Sequence, residues 1–335
     1  TGMNRTKQIT DYLKARYAIL VIETFEEERA LKEISEIAKT LSHRLFVWNS
    51  TMGVQINGAV AGDKTFDLKM ALDFCEERAK EENSKNIFVF CDAHNYLAPS
   101  SNPVYRRRLR DLAINIRSRG YRSNCIIVAP SFEIANDLQK EITLIDFPLP
   151  SREEIKSQVN DFVNSWHGNT SVKIDLTGET KDKLIDAALG LTGLEIDNSL
   201  SRSLVSSLSV NESTVKDLLF EKKQIIRKTG ILEYIDSTVN LEDVGGLATL
   251  KKWLHLRSQC FGQMAQEFGV KTPKGLLLTG VPGCGKSLTA KCISSSWNMP
   301  LLRLDMGKIF QGVVGSSESN IRSALHTAEA ISPCI

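Results

Sequence analysis

"TGVPGCGKSLTAK" runs from Thr279 to Lys291, and its reading decides the fold. Gly280, Gly285, Lys286 and Ser287 satisfy the spacing G-x-x-x-x-G-K-S, with Gly283 as a further glycine. Glycines permit backbone angles and a close approach that any side chain would block. The backbone N–H groups they expose, followed by a helix N-terminus, form a nest that attracts phosphate. Lys286 is then positioned for the β- and γ-phosphate oxygens, and the Ser287 hydroxyl for Mg²⁺. The pattern requires a strand before it and a helix after it. "GLLLT" (Gly275–Thr279) is expected to be the strand, and "LTAKCISSSW" the helix. The expected cradle comprises Gly280, Val281, Pro282, Gly283, Cys284, Gly285, Lys286, Ser287 and Leu288.

Working back toward the N-terminus, short β-branched runs alternate with helical patterns. Strands are expected at Tyr17–Glu23, Leu45–Asn49, Asn86–Asp92, Asn124–Ser131 and Ile142–Phe147. Helices are expected at about 26–41 and 65–82, with a glycine-containing loop after Asn49 and an Arg-rich helix before Asn124. Near-continuous apolar strands separated by helices imply a parallel sheet covered on both faces. This first unit lacks a phosphate loop. Its first strand leads into "IETFEEERAL", where Glu26, Glu27 and Glu28 suit the positive end of a helix dipole and would repel phosphate. Asp92, followed by Ala93, is read as structural. "FPLPSREEI" then stops the sheet, and Ser151 with Glu154 forms a capping box for a new helix. From there to about Tyr234 the periodicity is helical, with turns near Gly168, Thr177-Gly178 and Asn211.

The Arg-rich helix carries Arg106, Arg107, Arg108, Arg110, Arg117, Arg119 and Arg122. Positions 106, 110 and 117 can share an exposed face while Leu109, Leu112 and Ile116 supply the buried one. A solvated charged face, a docking surface for a neighbouring subunit, and a nucleic-acid contact all fit that pattern. Aromatic interleaving is thin, with Tyr105 and Tyr121 only, which disfavours nucleic acid. A net charge of +2 gives the whole molecule no strong electrostatic pull toward nucleic acid or membrane. The 335 residues leave room for two or three domains. The seven cysteines have no C-x-x-C spacing, which argues against a zinc site and a disulfide framework and for a reducing compartment. No apolar stretch approaches the ~20 residues that span a bilayer, and no signal peptide is read, so a cytoplasmic address without membrane partners is expected.

Two stretches flank the loop: "NLEDVGGLATLKKWL" (Asn240–Leu254) and "LLRLDMGKIFQGVVGSSESNIRSAL" (Leu301–Leu325). With them the chain resembles an AAA+ ATPase. In that family an acidic-aliphatic-Gly-Gly-Leu segment precedes the phosphate loop and packs against adenine, a role the resemblance assigns to Val244 and Gly245. Gly315, Ser317, Glu318, Ile321 and Arg322 match the family's second-helix signature, whereas Ser316 replaces its usual Glu. Val313 stands where pore-lining members carry an aromatic, and Gly312 where a basic residue is common, with Phe310 out of register. Polypeptide threading is therefore not expected. No arginine lies between Ser131 and Ile142 to serve a neighbour's ATP; Lys140 is the nearest cation. A silent module followed by a live one is most similar to the Ycf-type AAA+ ATPases of plastid and cyanobacterial genomes.

The resemblance implies an α/β fold, the parallel-sheet sandwich of P-loop NTPases. A degenerate AAA-like core is expected at 1–150, a helical lid at 151–235, and the N-terminal part of a second core at 236–335. It implies ATP and Mg²⁺ as cofactors, a homo-oligomeric ring such as a hexamer, a protein client of unknown identity, and the plastid stroma as address if plastid-encoded. Past Ile335 the family pattern continues into a strand ending in Asp-Glu, then into sensor and arginine residues. The chain is accordingly read as a fragment with negligible hydrolysis of its own, from a protein that couples ATP hydrolysis to remodelling or regulating a partner. A nucleotide-binding adaptor without turnover is the alternative. Cys284 inside the loop is either a small filler or a redox-sensitive thiol.

Overall fold

The computed structural model describes residues 5–335 apart from 63, 167–172, 175, 177, 230–231, 236–238, 240–243, 262–264, 266–267, 298, 311–320, 322–323, 326, 330 and 333. The chain divides into two compact units, Thr1–Pro148 and Leu149–Ile335.

The first unit is built on five parallel strands: β1 (Ile19–Glu23), β2 (Arg44–Asn49), β5 (Lys85–Cys91), β6 (Arg122–Ala129) and β7 (Ile142–Asp146). A short hairpin, β3 (Gly53–Ile56) and β4 (Ala59–Val60), extends the edge beyond β2, giving the order β4-β3-β2-β5-β6-β1-β7. The hairpin stands where only a loop was expected. Its turn is Asn57-Gly58, with φ of +51° and +80°, the left-handed pair that a tight two-residue hairpin turn demands.

Because strand side chains alternate, each face of the sheet has its own core. Helices α1 (Arg5–Lys14) and α2 (Glu27–Thr40) bury Ile9, Leu13, Ile34 and Ile37 against Leu20, Ile22, Val89 and Val128. On the other face, α3 (Leu68–Lys80) and α5 (Pro103–Ser118), with α4 (His94–Leu97) between them in sequence, bury Leu72, Leu109 and Ile116 against Phe46, Trp48, Phe88 and Phe90. The parallel, doubly covered sheet expected from the apolar runs is thus present.

The Arg-rich helix α5 departs from its expected face. Arg106 is buried, its guanidinium held by the carbonyls of Ala98 and Ser101 and by Asp137. Arg108 pairs with Asp73 and Glu76 of α3, and Arg117 with Glu141 at 2.5 Å. A guanidinium packs its stem along apolar surface and needs acceptors only at its tip, so helical spacing alone misjudged position 106.

In the second unit, α6 (Arg152–Ser165), α7 (Gly178–Ala188), α8 (Gly193–Ser207) and α9 (Glu212–Thr229) form a helical body around Ile155, Leu184, Leu191, Leu200 and Leu218. The Ser151–Glu154 capping box opens α6 as expected. A second box, Thr192–Glu195, opens α8. A two-stranded pair, β8 (Lys173–Ile174) and β9 (Ser209–Val210), accompanies these helices. The turns expected at Gly168 and Thr177 lie outside the described residues. Then follow β10 (Leu232–Ile235), α10 (Ala248–Ser258), a 3₁₀ turn at Gln259–Phe261, α11 (Lys286–Trp297), β11 (Leu301–Leu304) and α12 (Met306–Phe310). β10 pairs antiparallel with β11.

One expectation fails here. Residues 275–279 are not a strand, and Leu277 is 86% exposed. A strand is defined by its ladder, and among the described residues no neighbour pairs with this stretch.

Candidate functional site

The loop at 280–285 is open and leads directly into α11, whose first residue is Lys286. Gly283 and Gly285 sit at φ of +83° and +87°, the left-handed region that disfavours every side chain but glycine's hydrogen. Beyond the adjacent residues no atom lies within 4 Å of where a Cβ would sit at either position, so the loop is open on that side. At Gly280 a Cβ would meet Cys284 Sγ at 2.6 Å, so a side chain there would displace that thiol. Lys286 Nζ curls back and donates to the carbonyls of Gly280 and Val281, both at 2.8 Å, and lies 3.7 Å from Cys284 Sγ. An ammonium so placed sits at the mouth of the loop. Ser287 and Leu288 are exposed on the first turn of α11. Thr289 fixes that turn by bonding the Gly285 carbonyl through both its amide (2.9 Å) and its hydroxyl (3.0 Å). Sequence reasoning passed over this anchor, although Thr289 is the residue on which the helix entry closes.

A second stretch lies beside the first. Leu247, Ala248, Thr249, Leu250 and Trp253, at the start of α10, line an open apolar groove with Leu276. Leu276 lies four residues before Gly280, and Leu247 two after Gly245, so the two segments singled out in the sequence meet across this groove. Lys251 Nζ donates to the Val244 carbonyl at 2.6 Å. Among the described residues no hydrogen bond joins Val244 or Gly245 to the loop itself. Apart from Phe310, in α12, and Ile321, the residues read for pore lining and the second-helix signature lie outside the described residues.

The corresponding place in the first unit, where β1 runs into α2, has the opposite character. The Thr24 amide bonds the Ala129 carbonyl, and the Glu26 amide bonds Thr24 Oγ1 at 3.0 Å. Glu26 takes the N-cap position of α2 and is buried, and its carboxylate pairs with Arg29 at 2.5 Å. Arg29 also donates to the Pro148 carbonyl and stacks over Phe147. The Glu26 carboxylate thus pairs with a guanidinium and makes no cap hydrogen bond to the first amides of this helix. Beside it, burial pushes the Glu27 carboxyl above its ordinary range and the nearby Asp92 charge adds to the rise. Asp92 itself is at φ +55° with its carboxylate 3.8 Å from His94 Nδ1. The mouth of this sheet is closed by its own hydrogen bonds and is acidic.

With both places described, comparison with known proteins settles the class. Residues 5–147 match the "SpoVK-like AAA ATPase, N-terminal domain", 153–229 its "second domain", and 276–335 the "ATPase family associated with various cellular activities (AAA)". The chain belongs to the AAA ATPase family. It is 35% identical over 99% of its length to the "Uncharacterized AAA domain-containing protein ycf46" of Guillardia theta, covering 63% of that protein. The corresponding protein of Pyropia yezoensis is also 35% identical, with 99% of this chain and 65% of that protein covered. A shorter likeness, 39% over 36% of this chain, reaches the "Nuclear valosin-containing protein-like" of Mus musculus. The chain therefore spans just under two thirds of the ycf46 relatives' length. Its AAA membership agrees with the order of the five parallel strands in the first unit and with the phosphate-loop pattern in the second. No helix among the described residues is long and apolar enough to cross a membrane.

Proposed function

We propose that this protein binds Mg-ATP through Gly280–Leu288 and that its first unit is a scaffold that binds no nucleotide. The observation carrying this reading is the open loop with left-handed glycines at 283 and 285, running without a break into a helix that starts at Lys286. The residues fit the group. The open side of the loop at both glycines and the helix N-terminus suit the phosphates, and the exposed Ser287 hydroxyl suits Mg²⁺. Ser287 would hold the Mg²⁺, which would supply neutralisation of the phosphate charge. Lys286 would exchange its two carbonyl acceptors for phosphate oxygens, a short swing from where the ammonium already sits at the mouth of the loop. Val244 and Gly245 would flank the base, with the Leu247–Leu276 groove beside them. In this reading 1–150 is the silent core, 151–235 its helical lid, and 236–335 the beginning of the live core.

The acidic, internally bonded mouth of the first sheet supports silence there, since Glu27, Glu28 and Asp92 cluster at it and would repel phosphate. In the whole protein we propose ATP hydrolysis in a homo-oligomeric ring, coupled to a protein client, in the cytoplasm or the plastid stroma. Equilibrium titration with a fluorescent ATP analogue and Mg²⁺ tests the site. Lys286→Ala should abolish binding, and Ser287→Ala should remove its dependence on Mg²⁺. Binding that survives Lys286→Ala unchanged would refute the assignment.

A further inference from the structure

Helix α9 is shared by two hydrophobic cores. Leu218, fully buried, packs with Ile155, Leu184, Leu191 and Leu200 of the helical body. Ile226, two turns on and also fully buried, packs with Leu232, Ala324 and Ile331, with Tyr234, Leu302 and Cys334 around them. Eight residues along a helix is about 12 Å, so one rigid rod of 18 residues enters both clusters. Lys222, midway on the same i, i+4 stripe, is buried as well.

The rod is also sewn into the sheet that follows it. Only two residues separate α9 from β10, and β10 pairs with β11 from Leu232↔Leu304 to Ile235↔Leu301. The Arg303 guanidinium pairs with Glu233 across that ladder. β11 in turn follows α11 after a short turn, fixed by Ser294 Oγ donating to the Met299 carbonyl at 2.6 Å and by the Met299 amide on the Ser294 carbonyl at 3.0 Å. A continuous packed path therefore leads from Lys286 along α11 to β11, across to β10, and along α9 into the helical body. The family matches stop at 229 and resume at 276, so they treat these parts as separate. The packing joins them.

We propose that α9 and β10 form one coupling element, through which the phosphate-loop half of the second unit and the helical body at 152–229 bias each other's conformation. The regulatory part rests on the nucleotide reading above. A rod with a buried anchor in each core cannot tilt without opening one of them, and close-packed cores switch between discrete arrangements rather than deform.

Hydrogen exchange on the protein, with and without Mg-ATP, tests the element. Without nucleotide, Leu218→Ala should accelerate exchange at least about tenfold in β10 and β11 as well as in α7 and α8, and Ile226→Ala should do the same in reverse. If either variant fails to fold, Leu218→Val and Ile226→Val give the same comparison at smaller amplitude. Effects confined to each variant's own side would overturn the element. With Mg-ATP, protection should rise at 280–290 and also in α7 and α8. Protection at 280–290 alone would overturn the coupling, whereas no protection at 280–290 would overturn the nucleotide reading and with it the regulatory part, leaving the element to stand on the variant data.

Discussion

Replacing Lys222 by methionine should make the second unit more stable. Lys222 sits on α9 between Leu218 and Ile226, is 7% exposed, and has no ion pair or hydrogen bond among the described residues. Burial pushes its ammonium down from 10.5 to about 8, partly offset by the neighbouring Cys334. Each tenfold change in proton affinity corresponds to about 1.4 kcal/mol, so holding the charged form costs the folded state roughly 3 kcal/mol, as an upper bound. The sign in pH follows from the lowered value. Below about pH 8 both folded and unfolded chains keep the proton, and the cost is full and constant. Between about 8 and 10.5 the folded protein has released a proton that the unfolded chain still holds, so stability rises with pH. Methionine keeps the length and apolar stem of lysine while removing the charge. Denaturant dependence of hydrogen exchange in α9 and β11 is the suitable assay, because it reads this unit alone. Lys222→Met should gain about 2–3 kcal/mol at pH 7 and lose the rise in stability between pH 7 and about 9.5. Equal stability at pH 7, or the same pH slope in both proteins, would refute the reasoning.

Three further outcomes follow from other places in the molecule. Gly285→Ala forces a side chain into φ +87° at about 1–2 kcal/mol of strain, so affinity for Mg-ATP should fall roughly five- to thirtyfold; unchanged affinity would mean the loop binds in another conformation. Arg108→Ala strands Asp73 and the largely buried Glu76, and should lower the first unit's stability by about 2–3 kcal/mol in urea titration, against less than about 0.5 for the exposed Arg107→Ala. Cys284 is the exposed thiol among the free cysteines, so a thiol reagent should modify it first and saturating Mg-ATP should slow that reaction, with intact-mass spectrometry as readout.

The strands and both faces of the first sheet were legible because apolar runs such as Ile19–Ile22 and Ile87–Cys91 admit little but a doubly covered parallel sheet. The hairpin at 53–60 was read only as a loop: Asn57-Gly58 carries its turn signal, but its strands are four and two residues long and fall below any periodicity. Thr192–Glu195 carried the same capping signal as Ser151–Glu154 and went unread inside a long helical pattern. Arg106 could not have been placed from spacing, because its partners are Ala98 and Ser101, just before the helix, and Asp137, on the segment between β6 and β7. At the site the motif fixed which residues form the loop. The recoil of Lys286 onto the Gly280 and Val281 carbonyls, and the groove between Leu247 and Leu276, depend on tertiary placement that no local pattern encodes. The strand expected at 275–279 shows the converse, since an apolar run becomes a strand only when a neighbour supplies the ladder.

Calorimetric titration with Mg-ATP, read for stoichiometry, bears most directly on the central claim of one nucleotide site in the second unit and none in the first. The expected result is a single site per chain that disappears in Lys286→Ala and is untouched by Glu26→Gln. Two sites per chain, or one that persists without Lys286, would contradict it.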